Sequence, residues 1–489
     1  MLYPTIDDVQ SLLHDYPVVP VFYEALADTF TPIHIFDALQ QGEGTCFILE
    51  SVDNRSQWGR YSFIGVRPKL ELRIEQGAAV KITEDGEECT SFTDLAGFLS
   101  NVMKDYQSPT FPNKPKMTGG LVGYFSYDTV RYMEPTLTKV PEDDLKLPDC
   151  NLFLYDEIVA FDHLSSKTVV IMNIRRGGDV KEQYEQCELR AKALVLKIKN
   201  YRPGPAKKSQ KPAMTVRSNF TKEQYMKMVE EAKKHIVAGD IFQIVPSQRF
   251  EIENPPDAFS VYRQLRSSNP SPYLYYFKCK GYEIAGASPE MLVNVTKGIV
   301  TTKPIAGTIP RGLTEEADRQ NEQTLLHDPK ERAEHTMLVD LGRNDVGKVS
   351  KFGTVEVTNF MQVERYSKVM HLVSDVKGIL REDKTAVDAL LAALPAGTLS
   401  GAPKVRAMEL IDALENKKRC LYGGTIGYLG FDGNIDTCIA IRTALYRNGR
   451  AYVQAGGGVV ADSDPQKEYE ETRNKANAVL RAMEEADAE

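Results

Sequence analysis

The 489-residue chain has no run of about 18 apolar residues, the length a membrane-crossing helix needs. Its opening, MLYPTIDDVQSLLHDY, lacks the basic start and apolar stretch of a secretory leader. The expectation is a cytoplasmic protein with no membrane partner. Seven cysteines, at 46, 89, 150, 187, 279, 420 and 438, are odd in number, scattered and never spaced C-x-x-C. That pattern excludes a disulfide framework and a structural zinc site, and leaves free thiols. The seven histidines include no H-E-x-x-H pair, and no G-x-S-x-G nucleophile elbow is present. GTLSGAPK fails the Walker A pattern in spacing and final residue, and GGTIGYLG reads as strand and not as a strand-to-helix turn, so no nucleotide fingerprint is met. A net charge of -8 without clustered Lys or Arg argues against nucleic acid and anionic lipid.

What is present is ordinary for a soluble globular chain, 42% hydrophobic and 26% charged. The clearest compositional break is NYRPGPAKKSQKP at 200–212, which mixes Pro, Gly and Lys without an apolar period. It separates an N-terminal region (1–199) from a C-terminal region (216–489), with 200–215 as linker. CFILES, YSFIG and GGLVGYFSYD read as strands and 181–198 as a helix. TKEQYMKMVEEAKKHIVAG begins on a capping box, Thr221 with Gln224, and ends at Gly239. TIGYLGFDGNIDTCIAIRTALYRNGRAYVQAGGGVV predicts three antiparallel strands turning at Asp432-Gly433 and Asn448-Gly449. The expected class is α+β, with mainly antiparallel sheets packed as a sandwich and helices outside.

Two acidic pairs carry possible chemistry. DPKERAEHTMLVDL predicts a helix with Asp328 as N-cap and Pro329 at its first position. Helical spacing sets Glu334 within the apolar stripe of Met337, Leu338 and Leu341, with Glu331 one turn earlier. A buried carboxylate needs a partner: a cation site, or a structural ion pair with Arg343 or Arg332. Glu468 and Glu471, after a Ser-Asp-Pro helix start, share a face, although first-turn acids often only complement the helix dipole. Carboxylates without His or Cys suit Mg2+. In DTCIAIRTALY, strand alternation sets Arg442 among the small residues Cys438, Ala440 and Ala444, a place for an anion. Gly456, Gly457 and Gly458 allow backbone N–H groups to converge on an anion, or mark a β-bulge. PIAGTIPRG at 304–312 reads by itself as a turn.

PIAGTIPRG, AEHTMLVDLGRND, RYSKVMHLVS, LPAGTLSGAPKVRAMELI, YGGTIGYLGFDGNIDTCIAIRT and VQAGGGVV through EETRNKA resemble, in order and spacing, the chorismate-utilising enzymes. Within that family the likeness is to the anthranilate synthase component I branch, over 220–483 and, for the N-terminal region, 20–165. The resemblance implies a Mg2+ cofactor on Glu334 and Glu471, with Glu331 and Glu468 as accessory acids acting through water. It implies chorismate contacts at Gly307, Thr308, Tyr422, Arg442 and Gly456 to Gly458. His371 matches a histidine that assists departure of the ring C4 hydroxyl, and Glu290, in ASPEML, matches the general acid. Ammonia would come from a separate glutamine amidotransferase subunit, component II, in a hetero-oligomer, and would displace the hydroxyl by attack at C2 before pyruvate leaves.

Two positions separate the family's branches. Isochorismate- and salicylate-forming relatives carry a water-activating lysine where this chain has Gln243, and the aminodeoxychorismate branch carries a nucleophilic lysine where it has Ala306. FILESVDNRSQWGRYSFIG and NPSPYLYYF resemble the family's tryptophan feedback site, at Ser51, Pro272, Tyr273 and Leu274, with Leu274 in place of the usual Met. Gly342 and Gly457 replace alanines. The alternatives are aminodeoxychorismate synthase component I, a 2-amino-2-deoxyisochorismate synthase that stops before pyruvate loss, and a non-catalytic tryptophan-binding regulator.

Overall fold

The apolar, aromatic-rich runs CFILE and YLYYFKC form strands Cys46–Glu50 and Tyr273–Cys279, which pair antiparallel with Leu274 opposite Glu50. Likewise Gly120–Phe125 pairs antiparallel with Thr425–Gly430. Each pairing joins chain before the 200–215 run to chain after it, so the two regions share their hydrogen-bonded layers. The computed structural model describes residues 2–51, 57–204, 212–366 and 369–488. Of the sequence features singled out, residues 205–211 of the linker, 52–56 of the feedback segment, and Ser367 and Lys368 lie outside these. Among the described residues the strands make a twelve-stranded and an eleven-stranded sheet, with small sheets of three and two strands beside them.

Alternation along the strands explains how these sheets stack. In Gly120–Phe125, Val122 and Tyr124 enter a core with Phe47, Phe277 and Leu445 of the other sheet. Leu121 and Phe125 face the opposite way, toward helix residues such as Leu99, Val339 and Leu390. In the twelve-stranded sheet Phe47 and Tyr275 point between the sheets, while Ile48 and Tyr276 pack with Phe36, Leu194, Leu265 and Val479 of its outer helices. The result is the expected sandwich with helices outside. The expected helices form as well: Val180–Asn200; Lys222–Val237 with its Thr221–Gln224 capping box; and Pro329–Gly347, capped by Asp328.

The C-terminal meander departs from expectation. Four strands form, not three: Thr425–Gly430, Ile435–Ile439, Thr443–Arg447 and Arg450–Gly456. Both glycine turns are present, but the middle run is split, with Ile435–Ile439 in the eleven-stranded sheet and Thr443–Arg447 in the twelve-stranded one. The chain crosses between layers at Ala440 to Arg442, and Arg442 takes a left-handed φ of 52°. Strand alternation therefore does not orient Arg442, because the residue is not in a strand.

Beneath the crossing lies a buried ion pair. Arg419 Nη2 and Glu415 Oε1 are 2.5 Å apart, with side chains 2% and 3% exposed. Arg419 also donates to the carbonyls of Leu399 and Val245, both at 2.6 Å, and Glu415 accepts from Ser247 N and Oγ at 2.8 and 2.9 Å. The pair thus ties three chain segments together. Replacing one member strands the other charge in the interior, so Arg419→Met is expected to lower stability by about 3–5 kcal/mol. The urea midpoint reads this loss, and an unchanged midpoint would refute the role.

Candidate active site

Most of the singled-out polar residues converge on one cavity of about 550 Å³, within the usual range for ligand clefts. Gly307 and Thr308 come from the strand Ile305–Pro310, His371 from its neighbour Val369–Val373, and Glu331 and Glu334 from the helix Pro329–Gly347. Arg442 comes from the crossing, Gly456 and Gly458 from the end of the last strand, and Glu468 and Glu471 from the helix Pro465–Ala488. Glu290 and Tyr422 complete it, with Gln243 and Ala306.

The PIAGTIPRG segment is a strand with a bulge, not a free turn. Its register with Val369–Val373 shifts between Ala306 and Thr308, and Gly307 takes φ +67°, a conformation that glycine adopts without steric cost. A Cβ on Gly307 would lie 3.0 Å from Glu331 Oε2. His371 Nδ1 is 3.0 Å from both Gly307 O and Thr308 Oγ1. A carbonyl can only accept, so the neutral ring carries its proton on Nδ1 and leaves the Nε2 lone pair free. Burial lowers the His371 pKa, opposed by the bond to Gly307 and reinforced by Arg442, so the ring is neutral at neutral pH.

Glu290 shows the opposite shift. Burial raises its pKa to about 7, although Thr398 Oγ1 donates to its Oε1 at 3.0 Å and Lys475 also favours the charged form. The carboxyl is therefore poised to give up or take a proton near neutrality.

The acidic pairs face each other from two helices. Neither arginine offered as a structural partner reaches Glu334: Arg332 donates to Leu326 O and Arg343 pairs with Asp340. Burial raises the pKa of Glu334, with Lys330 and Glu471 acting in opposite senses. Burial raises Glu331 too, and the Glu334 charge adds to it. Glu468 is raised by burial against the hydrogen bond that its Oε1 accepts from Ser463, while its buried Oε2 has no hydrogen-bond partner. Glu471 is paired with Lys475 Nζ at 2.7 Å. Among the described residues no group of three or more His, Cys, Asp or Glu is drawn close enough to hold a metal as it stands.

Arg442 is the counterpart of these acids. Its guanidinium donates to the carbonyl of Lys475. Burial lowers its pKa, and Tyr422 and Glu471 raise it at longer range. Among the described residues no carboxylate forms a salt bridge with it. A Cβ at Gly456, Gly457 or Gly458 would come within 2.7–2.8 Å of Tyr422 Oη, Glu468 Oε2 or Gln243 Nε2 respectively, so each of these side chains packs against glycine backbone. Gly457 does not line the cavity, and its N–H donates to Pro246 O at 3.3 Å.

Sequence reasoning missed Lys475, Lys330, Thr398 and Gln454, which also line the site. Lys475 stands four residues beyond Glu471 on the same helix, a spacing that signals an ion pair. Thr398 was hidden in GTLSGAPK, which fails as a phosphate loop but presents a hydroxyl to Glu290. Ser51, Pro272, Tyr273 and Leu274 meet elsewhere, around a cavity of about 60 Å³ that includes Glu50, Tyr428 and Asp436. There Tyr273 Oη donates to Asp436 Oδ1 at 3.1 Å, and burial raises the Asp436 pKa to about 7.

Comparison with known proteins agrees with this geometry. The chorismate binding enzyme family matches residues 45–481. Anthranilate synthase component 1 of Acetivibrio thermocellus is 49% identical over 99% of both chains, and that of Pseudomonas aeruginosa is 48% identical over 96% of both. The crystal structure of anthranilate synthase component I from Streptococcus pneumoniae superimposes with a TM-score of 0.77 at 38% identity, covering 94% of this chain and 99% of that one. The Escherichia coli menaquinone-specific isochorismate synthase MenF shares the fold, with a TM-score of 0.68 at 19% identity. With a family match that spans most of its length, this chain belongs to the chorismate binding enzymes.

Proposed function

We propose that the chain is the component I subunit of an anthranilate synthase, which aminates chorismate at C2 with ammonia and expels pyruvate, the first step of tryptophan biosynthesis. The observation that carries the proposal is a half-buried, desolvated Arg442 that forms no salt bridge with an acid among the described residues and lines one cavity with Glu334 and Glu471. A desolvated cation of this kind favours an anionic ligand, and chorismate is a dicarboxylate. The carboxylates of Glu331, Glu334 and Glu468 are crowded enough to raise one another's pKa or be raised by burial, and Glu468 Oε2 lacks a partner. Such an oxygen-only donor set fits Mg2+. Glu334 and Glu471 would hold it, with Glu331 and Glu468 behind them and Glu471 released from Lys475. When bound, it supplies positive charge for the substrate's second carboxylate.

The chain's own residues account for the rest. Arg442 and the backbone at Gly307 and Thr308 orient the ring. Ammonia's lone pair forms the C2–N bond, the ring double bonds shift, and the C4–O bond breaks. Glu290 gives its proton to the departing hydroxyl, which leaves as water, while His371 Nε2 accepts a hydrogen bond from it. The new C2 ammonium then loses a proton to solvent. The C2 hydrogen then leaves as a proton to solvent, its electron pair forms the C2–C3 double bond as C3–O breaks and the ring becomes aromatic, and the released enolpyruvate takes up a proton from solvent as pyruvate. Ala306 offers no nucleophile and Gln243 no base for water, which favours direct ammonia attack over a lysine adduct or isochorismate formation. Ammonia delivery by a separate amidotransferase subunit, a cytoplasmic hetero-oligomer and tryptophan feedback at the Ser51–Leu274 cavity belong to the same proposal. The feedback reading is supported by the aromatic walls of that cavity and the buried, unpartnered Ser51 Oγ.

Purified protein given chorismate, Mg2+ and an ammonium salt is expected to make anthranilate, read by its fluorescence. Accumulation of an aminated intermediate alone would move the assignment to the alternative branches. Glu334→Ala should lower kcat by about 10²–10³ while calorimetric tryptophan binding persists, and full turnover in that variant would remove the metal role. At saturating ammonium, kcat should fall about tenfold per pH unit above roughly 7, as the raised Glu290 carboxyl loses its proton. Glu290→Gln should cost about 10²–10⁴ in kcat and abolish that limb. Tryptophan should inhibit the wild type, and Ser51→Phe should relieve inhibition without changing chorismate KM; equal inhibition of both would disqualify the second cavity.

A further inference from the structure

Glu290 stands in a wall between two cavities. One is the substrate cleft; the other, of about 50 Å³, shares only Glu290, Leu338 and Thr398 with it. A single water needs roughly 10–15 Å³, so the second cavity has room for one or more. It is also polar enough to hold them. Besides the Glu290 carboxyl and the Thr398 hydroxyl, it is lined by Asp345 and by Thr302, whose buried Oγ1 has no hydrogen-bond partner.

Gly342 keeps this space open. It lies on the helix Pro329–Gly347, and a Cβ there would come 3.1 Å from Thr302 Oγ1 and 3.3 Å from Pro304 Cγ. The lining includes the half-buried Lys303 and Leu341, neither of which lines the substrate cleft. A ring filling the cleft would leave this cavity as the other polar space against Glu290.

We infer that this rear cavity holds the water that returns a proton to Glu290 after each turnover. The inference rests on Glu290 acting as the acid that protonates the departing hydroxyl. Having given up its proton, the carboxylate takes one from the cavity water, which takes one in turn from the next water toward solvent. No charge remains in the wall. The proton shed to solvent by the new C2 ammonium balances the one taken up. Thr302 and Thr398 are positioning residues that hold the water against Glu290, and Gly342 provides the space.

Filling or drying the cavity tests this. Gly342→Val and Thr302→Val are expected to lower kcat roughly tenfold and to raise the solvent deuterium isotope effect on kcat. Chorismate KM should stay within about twofold. Imidazolium buffer should restore part of the lost turnover by supplying protons through the open cleft between cycles. Thr302→Ala, which removes the hydroxyl without adding volume, should show the same changes and serves if the valine variants do not fold. Unchanged kcat and isotope effect in these variants overturn the inference, as does a raised chorismate KM with an unchanged isotope effect, which would make the region mere packing. The two readings fail separately. If Glu290→Gln turns over normally, Glu290 is not the acid; if it is inactive while the Gly342 and Thr302 variants match wild type, only the rear path is lost.

Discussion

The site depends on one covalent constraint, the passage of a continuous run of chain from one sheet to the other. Ile435–Ile439 is hydrogen-bonded into the eleven-stranded sheet and Thr443–Arg447 into the twelve-stranded one, with three residues between them. Crossing two packed layers in so short a span demands a sharp turn, and Arg442 takes it in the left-handed region. Because both flanking strands are locked in ladders and both faces are buried, the guanidinium has little freedom of position. Its bond to the Lys475 carbonyl fixes it against the last helix as well. The Arg442 guanidinium of the cleft is thus placed by the sheets.

Around that cation the acids of the cleft are partnered unevenly. Glu471 leans on Lys475, Glu468 on Ser463, and Glu334 lies between Lys330 and Glu471. Desolvation makes the charges on Glu334 and Glu468 costly and raises both carboxyl pKa values. The proposed dianionic substrate and divalent cation would relieve both signs of charge together. The same burial that makes the empty cleft unfavourable makes it selective, since a neutral ligand would leave Arg442 and the acids unpaired.

Glu290 and His371 illustrate how one environment separates two titrating groups. Burial disfavours charge on both, which raises the carboxyl and lowers the imidazole. At neutral pH the pair consists of a partly protonated acid and a neutral ring. That is the combination the proposed step needs, an acid that still carries its proton beside a ring able to accept a hydrogen bond. The hydroxyl of Thr398 and the carbonyl of Gly307 set the orientation of each group. Neither partner is distinctive as a residue type.

Much of this was legible in the sequence. The capping boxes, the proline-started helices, the glycine turns and the ordered motifs are local features, governed by chemistry within a few residues, and they led to the helices, the sandwich class, the family and the acids. Glu334 could be picked out because a carboxylate on an apolar stripe is anomalous wherever the helix packs. Arg442 does line the cleft, but not by the strand alternation that singled it out. Nothing local reveals that the DTCIAIRTALY run changes sheets, because both of its halves have the composition of buried strand. The pairing of Cys46–Glu50 with Tyr273–Cys279, the hydroxyl that Thr398 offers Glu290 and the cavity behind Glu290 were likewise out of reach. Those depend on which segments distant in sequence become neighbours. The residues and their chemistry were determined by the sequence alone, whereas their convergence, burial and shifted proton affinities were decided by tertiary packing, because desolvation and Coulomb interaction act through space and not along the chain.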